Sequence, residues 1–322
     1  MQVMDCRPWN KRNVFQVLRD STPSNTLGYL FIPLGKAANT EIKRLLWELE
    51  VAAGSDLPVP DDYFAVHNYN WGSAPDSVQT PWDSYASDEI DRLTADLMNK
   101  FVFTVVRNPY SKLLSAYLDK IVKLQRRVAD GKAGDKINRF RLPDVPGSFP
   151  EFVEMVCAQP DVDVDLHWVG QSYKTMFHFV KYNHIGHFET LPDSIRRVSG
   201  RFSVCVPERA NSALHATSAS TRLAEYYTDA LAEKVYTRYR EDFEVFGYDP
   251  DVSTGSLAPI REVASSGEYS DFCRPFARAV RHLTSNERRK ARLMMEKLVE
   301  KAKKVNRELV LDSSLKRLVK SA

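Results

Sequence analysis

A lysine followed by four small or polar residues, Lys36-Ala37-Ala38-Asn39-Thr40, stands just ahead of a stretch with helical periodicity. That arrangement suits an oxyanion. The first-turn N–H groups of a helix have no intrahelical partner, the positive end of its dipole faces the anion, and small side chains let the anion approach. Thr40 adds a hydroxyl donor. Further along, Arg107 closes an apolar run and opens the string Arg107-Asn108-Pro109-Tyr110-Ser111-Lys112-Leu113-Leu114-Ser115. A guanidinium is a planar fork matched to a doubly charged phosphate, and Ser115, about two turns along, can donate from the same side. Either cation alone is compatible with a solvated or ion-paired structural residue. Two anion cradles at two strand-to-helix turns suit a ligand with phosphate at both ends, at the place where parallel sheets bind ligands.

The elements that must hold these residues follow from pattern. Residues 28–33 read as a short buried strand, and Ile42, Leu45, Leu46 and Leu49 predict a helix behind the lysine loop. FVFTVV at 101–106 predicts a fully buried strand. Asn108 is placed to cap a helix with Pro109 at its first position, its inner face formed by Leu113, Leu114, Tyr117 and Ile121. Further expectations are a strand-like piece at 63–69, a helix over 87–98, a surface loop over 123–148 and a capping box at Ser148–Glu151 before a helix. A strand over 177–188 and a long helix over 223–239 follow. Strands alternating with helices predict an α/β fold with a parallel β-sheet flanked by helices.

Residues 249–268, rich in Ser, Gly and Pro, read as a linker, and apolar positions Met294, Leu298, Val305 and Leu309 predict a basic amphipathic helix beyond it. The division expected is therefore 1–248 as one domain and 249–322 as linker and helical C-terminal extension. Residues 281–322 hold 13 Lys and Arg against 5 Asp and Glu, so the net charge of +3 leaves the rest of the chain acidic. A solvated helix face accounts for this pattern better than a dedicated polyanion site. The same holds for Arg126, Arg127, Lys132, Lys136, Arg139 and Arg141 in the expected loop.

Cys6, Cys157, Cys205 and Cys273 are scattered, without a CxxC pair or metal-like grouping. No metal site is expected. No apolar run is long enough to cross a bilayer, no apolar leader follows Met1, and no N-x-S/T sequence occurs. A P-loop nucleotidase is disfavoured: Gly28 lies seven residues before Gly35 where the motif needs five, and Ala37 follows Lys36 where a Mg²⁺-holding Ser or Thr belongs.

These residues, in this order, resemble the carbohydrate sulfotransferases that use 3′-phosphoadenosine-5′-phosphosulfate (PAPS), of the type modifying chondroitin, dermatan and related glycans. Pro33 and Lys36–Thr40 match the family's donor loop, with Lys43, Arg44 and Leu45 matching the helix start behind it. Arg107–Tyr117 reproduces the family's arginine motif almost position by position. Asp165, His167, Trp168 and Gln171 echo a D-x-H-W-x-P-Q element. Ile185–Leu191 and Tyr239–Tyr248 match two later segments, so the resemblance covers about residues 28–248. Two departures stand out: Leu34 and Gly35 separate Pro33 from Lys36, and Gly170 stands where proline is common.

The resemblance implies a P-loop-NTPase-like sulfotransferase fold and sulfuryl transfer from PAPS, as co-substrate, to a hydroxyl of a carbohydrate or similar acceptor, with 3′,5′-adenosine bisphosphate (PAP) as product. Lys36 is assigned to the bridging oxygen and 5′-phosphate, with Ala37, Ala38, Asn39 and Thr40 completing the cradle, and Arg107 and Ser115 to the 3′-phosphate. His67 and His167 compete for the role of base. Asp165, Trp168 and Gln171 are expected at the acceptor, Glu189 as a support, and His184 and His187 as structural. Nucleic acid is not an expected partner. Animal members of the family are Golgi membrane proteins with glycosylation sites and disulfides, features this sequence lacks, so a cytoplasmic location is expected over Golgi-type membrane association. The alternatives are a kinase or nucleotidase using the same cradles, and a non-catalytic polyanion-binding protein.

Overall fold

The structure, a computed structural model, describes residues 21–24, 26–55, 99–132, 140, 142, 144–159, 164–178, 180–202 and 219–266. The expected strand at 63–69, the helix over 87–98, the basic amphipathic helix carrying Met294, Leu298, Val305 and Leu309, and the residues His67, Lys136, Arg139, Arg141, Cys6, Cys205 and Cys273 lie outside them.

Among the described residues four strands form one sheet in the order β1 (Thr22–Pro23), β2 (Tyr29–Phe31), β3 (Phe101–Val106) and β4 (His184–His187). β2 and β3 run parallel, Leu30 opposite Val102, and so do β3 and β4, Phe103 opposite His184. β1 is antiparallel to β2, with Thr22 opposite Phe31. The sheet is thus mixed where an all-parallel one was expected. The cause is the connection: Ser24 N–H donates to the Tyr29 carbonyl at 2.8 Å and Gly28 takes a φ of 71°, which makes a tight turn, and a parallel pair needs a long crossover. Pro23 sits on the edge strand, where its missing N–H removes no ladder bond from the sheet centre.

Helices cover both faces. α1 (Asn39–Ala52) follows β2 and buries Ile42, Leu45, Leu46 and Leu49 against Tyr29, Phe31, Phe103 and Val105. On the opposite face Val106 joins a larger core with α2 (Pro109–Ala116) and the Phe152, Val153 and Val156 side of a later helix. The split follows from the two-residue alternation of β3. α2 begins as its residues dictate: Asn108 accepts from Tyr110 N–H at 3.0 Å and Pro109 occupies the first turn.

From α2 the chain continues through a wider π-turn, Tyr117–Ile121, in which Val122 N–H reaches the Tyr117 carbonyl, and then α3 (Val122–Ala129). The expected loop over 123–148 therefore begins as helix. α4 (Phe149–Ala158) opens on the Ser148 cap. The expected strand over 177–188 is confined to β4. Ahead of it come a single helical turn, α5 (Gln171–Lys174), and tight turns in which Phe177 N–H donates to the Ser172 carbonyl at 3.0 Å and Met176 takes a φ of 50°. α6 (Leu191–Arg201) covers the first face again.

The long helix expected over 223–239 is two helices, α7 (Leu223–Tyr226) and α8 (Asp229–Phe246), because the Thr228 side chain caps the second by accepting from Leu231 N–H at 3.3 Å. Gly247, at φ 76°, ends α8. Residues 249–266, expected as a linker, are docked instead: Ile260 N–H donates to the Gly247 carbonyl and Ala264 N–H to the Val245 carbonyl, both at 2.8 Å, and Pro250 accepts from the Tyr110 hydroxyl at 2.6 Å. No described helix is long and apolar enough to cross a membrane.

Candidate active site

The first anion loop joins β2 to α1. Lys36 and Ala38 both adopt left-handed backbone conformations, φ 66° and 57°, which cost a non-glycine residue about 1–2 kcal/mol each. Such strain persists where the surroundings over-determine it, characteristically at ligand clamps, and alternating backbone of this kind turns N–H groups toward one point. Ala38 is the N-cap of α1 and contributes no side-chain hydrogen bond to it. The fourteen-residue helix thus begins three residues after Lys36 and its N-terminus is uncapped by the N-cap side chain. Ala37 is buried and Asn39 and Thr40 are half-buried around it.

The second loop joins β3 to α2, and the buried Arg107 guanidinium is pinned there at every nitrogen. Nε donates to Ser111 Oγ at 2.9 Å, Nη1 to the Lys36 carbonyl at 3.1 Å and Nη2 to Ser220 Oγ at 3.2 Å, while the ring of Phe188 lies 4.1 Å below. Burial lowers the guanidinium to about 10, so it remains charged at neutral pH. Ser115, four residues beyond Ser111, is buried on the same helix. The bond from Arg107 to the Lys36 carbonyl joins the two loops. Lys36 extends its ammonium to Asp119 on the π-turn. Its pKa falls to about 8, chiefly through burial, which the Asp119 carboxylate opposes.

The segment before α5 packs against the first loop and is held by α2. A side chain at Gly35 would meet the Leu166 carbonyl at 3.3 Å and His167 Cα at 3.4 Å, so glycine here lets the 164–170 segment close onto the lysine loop. The inserted Leu34-Gly35 thus has a packing role. His167 Nδ1 donates to Asp165 Oδ1 at 2.5 Å, which leaves Nε2 as the acceptor nitrogen of the neutral ring. Buried Lys112 holds this segment from α2, donating to the His167 carbonyl at 3.3 Å and the Val169 carbonyl at 3.0 Å.

Two residues expected at an acceptor lie elsewhere. Trp168 is fully buried among Phe140 and Phe152 and offers no face to a sugar ring. Gln171, equally buried, accepts from Arg107 N–H at 2.9 Å and donates to the Arg107 carbonyl at 2.8 Å, so both ends of its amide hold the Arg107 backbone. Asp242 of α8 anchors the same turn, accepting from Gln171 N–H at 2.7 Å and Ser172 N–H at 2.8 Å. Glu189 acts as a brace, accepting from Asn108 N–H and from the Tyr248 hydroxyl, each at 2.9 Å. His187 bonds the Phe246 carbonyl at 3.0 Å.

Sequence reasoning missed Ser220, Phe188 and Asp119. Ser220 comes from a segment 113 residues beyond Arg107 and carries no local signal. Asp119 had one, since it falls four residues after Ser115, on the stripe that already holds Ser111. Among the described residues no cluster of His, Cys, Asp and Glu could hold a metal ion.

A family model described as the sulfotransferase family matches residues 23–249. Among curated proteins, carbohydrate sulfotransferase 10 of Xenopus laevis is 26% identical over 241 residues, covering 68% of this chain and 64% of that protein. The Homo sapiens protein of the same name is 26% identical over 245 residues, covering 69% and 65%. The chain thus spans just under two thirds of the length of these relatives. No solved structure matches. With both anion loops, the histidine segment and the α8 anchor inside the matched residues, the chain belongs to the sulfotransferase family.

Proposed function

We propose that the protein transfers the sulfuryl group of PAPS to a hydroxyl of a carbohydrate acceptor. The observation that carries this reading is the 3.1 Å hydrogen bond from Arg107 to the Lys36 carbonyl, which joins the two cation-bearing loops, as a ligand with phosphate at both ends would require. The names of the relatives favour a carbohydrate acceptor. In domain terms, residues 1–248 form a sulfotransferase domain of P-loop-NTPase-like arrangement, and 249–322 a C-terminal extension whose first part is docked.

PAPS supplies a sulfuryl group and a phosphate that leaves as charge builds on its bridging oxygen. The residues present fit it: strained left-handed backbone at Lys36 and Ala38, an α1 N-terminus without a side-chain cap, and a buried arginine. Lys36 and the backbone of Ala37 to Thr40 would hold the 5′ end, with Lys36 neutralising the growing charge. Arg107 and Ser115 would hold the 3′-phosphate. His167, oriented by Asp165 and packed against Gly35 of the lysine loop, would serve as general base for the acceptor hydroxyl; His67 is its competitor.

The test is transfer of radiolabelled sulfate from PAPS to a panel of hydroxyl-bearing saccharides, with PAP binding followed by calorimetry. The expected result is PAP binding and labelled product without added Mg²⁺. Tighter binding of ATP than of PAP, with Mg²⁺-dependent turnover, would replace this reading by the kinase one.

A further inference from the structure

Asp119 gathers three ammonium groups. Its carboxylate accepts from Lys36, from Lys123 at 2.5 Å and from Lys120 at 3.1 Å. Lys36 and Asp119 are both largely buried, with side chains 15% and 18% exposed, whereas Lys123 is 67% exposed. The backbone brings Asp119 to this place deliberately. Ser111, Ser115 and Asp119 follow one another at four-residue spacing, and in an α-helix such a stripe drifts about 40° with every step. The π-turn at Tyr117–Ile121 is wider, closed by a bond from Val122 N–H to the Tyr117 carbonyl, and takes back part of that drift. One helical stripe therefore serves both cradles, with Ser111 gripping Arg107 and Asp119 gripping Lys36.

We propose that Asp119 is a positioning residue for Lys36: it holds the ammonium protonated and aimed into the donor loop until the 5′ end of the donor takes its place as counter-ion. This rests on the donor reading given above. No covalent bond changes; one ion pair is exchanged for another. The charged groups facing Lys36 are Asp119, Lys120 and Lys123. Burial and the two lysines all drive Lys36 toward its neutral form, and Asp119 alone opposes them. Against the upward pull of burial, the hydrogen bonds from Lys123, Lys36 and Lys120 hold the Asp119 carboxylate well below the usual range, so it stays ionised through the working pH.

The decisive experiment is trace acetylation of the whole protein across pH, with the extent at Lys36 read by mass spectrometry, in wild type, Asp119→Asn and Asp119→Glu. Wild-type Lys36 should titrate near 8. In Asp119→Asn a one-unit fall in the Lys36 pKa from about 8 should raise its reactivity at pH 7 about fivefold, and the alkaline limb of kcat/KM for PAPS should move down by about one pH unit. Asp119→Glu restores the charge and should return both toward wild type. PAP should protect Lys36 in all three proteins. Unchanged Lys36 reactivity in Asp119→Asn, or a glutamate variant no different from the asparagine one, would overturn the role of Asp119. Absence of PAP protection in the wild type would instead refute the donor reading, and with it the exchange of counter-ions.

Discussion

Replacing Arg107 by lysine separates charge from shape at the second cradle. The guanidinium has five N–H donors, of which three go to Ser111, the Lys36 carbonyl and Ser220, leaving one on each terminal nitrogen among the described partners. Hydrogen bonds to charged groups contribute about 1.5–3 kcal/mol each, and an ammonium at this position keeps the charge but loses the fork. Loss of one of the two ligand bonds should therefore weaken PAP binding by about 1.5–3 kcal/mol, or roughly 10- to 150-fold. Calorimetric titration of both proteins with PAP and with 5′-AMP, which lacks the 3′-phosphate, isolates the effect. The preference for PAP over 5′-AMP should fall by that factor, while 5′-AMP affinity changes less than about threefold. An unchanged preference, whatever happens to overall affinity, would refute the assignment of Arg107 to the 3′-phosphate.

Lys36→Ala should reduce sulfate transfer by about 10²–10³-fold while PAP still binds, as for loss of a donor that acts on the developing charge. Transfer should also decline above pH 8, because the charge on Lys36 is present below its pKa of about 8 and lost above it. A pH–rate profile flat to pH 9.5 would contradict this. His167→Asn should lower turnover by about 10²–10⁴-fold if His167 is the base, and a smaller loss than in His67→Asn, measured side by side, would give the role to His67. His184 is held neutral by burial, its pKa lowered to about 4, so it favours the folded state above its ordinary pKa near 6.5 and this contribution is lost as pH falls toward 4. His184→Gln should therefore show a shallower loss of melting temperature between pH 7 and 4.5. Gly247→Ala should destabilise by about 2 kcal/mol or more, through its φ of 76° and a Cβ only 2.3 Å from the Arg261 carbonyl, as chemical denaturation would show.

Much of this architecture is written in short stretches of chain. Asn108-Pro109 caps and starts α2 because a side-chain acceptor and a fixed φ act within one turn, and FVFTVV makes β3 because six successive apolar or β-branched residues suit a strand buried on both faces. The run from Arg107 to Tyr117 carried the family resemblance for the same reason: a phosphate cradle at a strand-to-helix turn is built from neighbours in sequence. Where the element boundaries were misread, the competing contact was itself local, a turn or a cap that overrode the apolar pattern. The strand expected over 177–188 shortened to β4 because Ser172 and Met176 close turns ahead of it, and the run from Leu223 divided where Thr228 supplied a second cap.

The chain's residue order alone determined that two cations sit at two strand-to-helix turns, each beside its own helix N-terminus, since capping, periodicity and small side chains act over a few residues. Only the folded structure decided that these turns meet. Arg107 meets a carbonyl 71 residues earlier, Lys36 meets a carboxylate 83 residues later, and Trp168 and Gln171 are drawn into the interior. Such pairings depend on which faces pack together once the sheet is closed, and no local pattern encodes that choice.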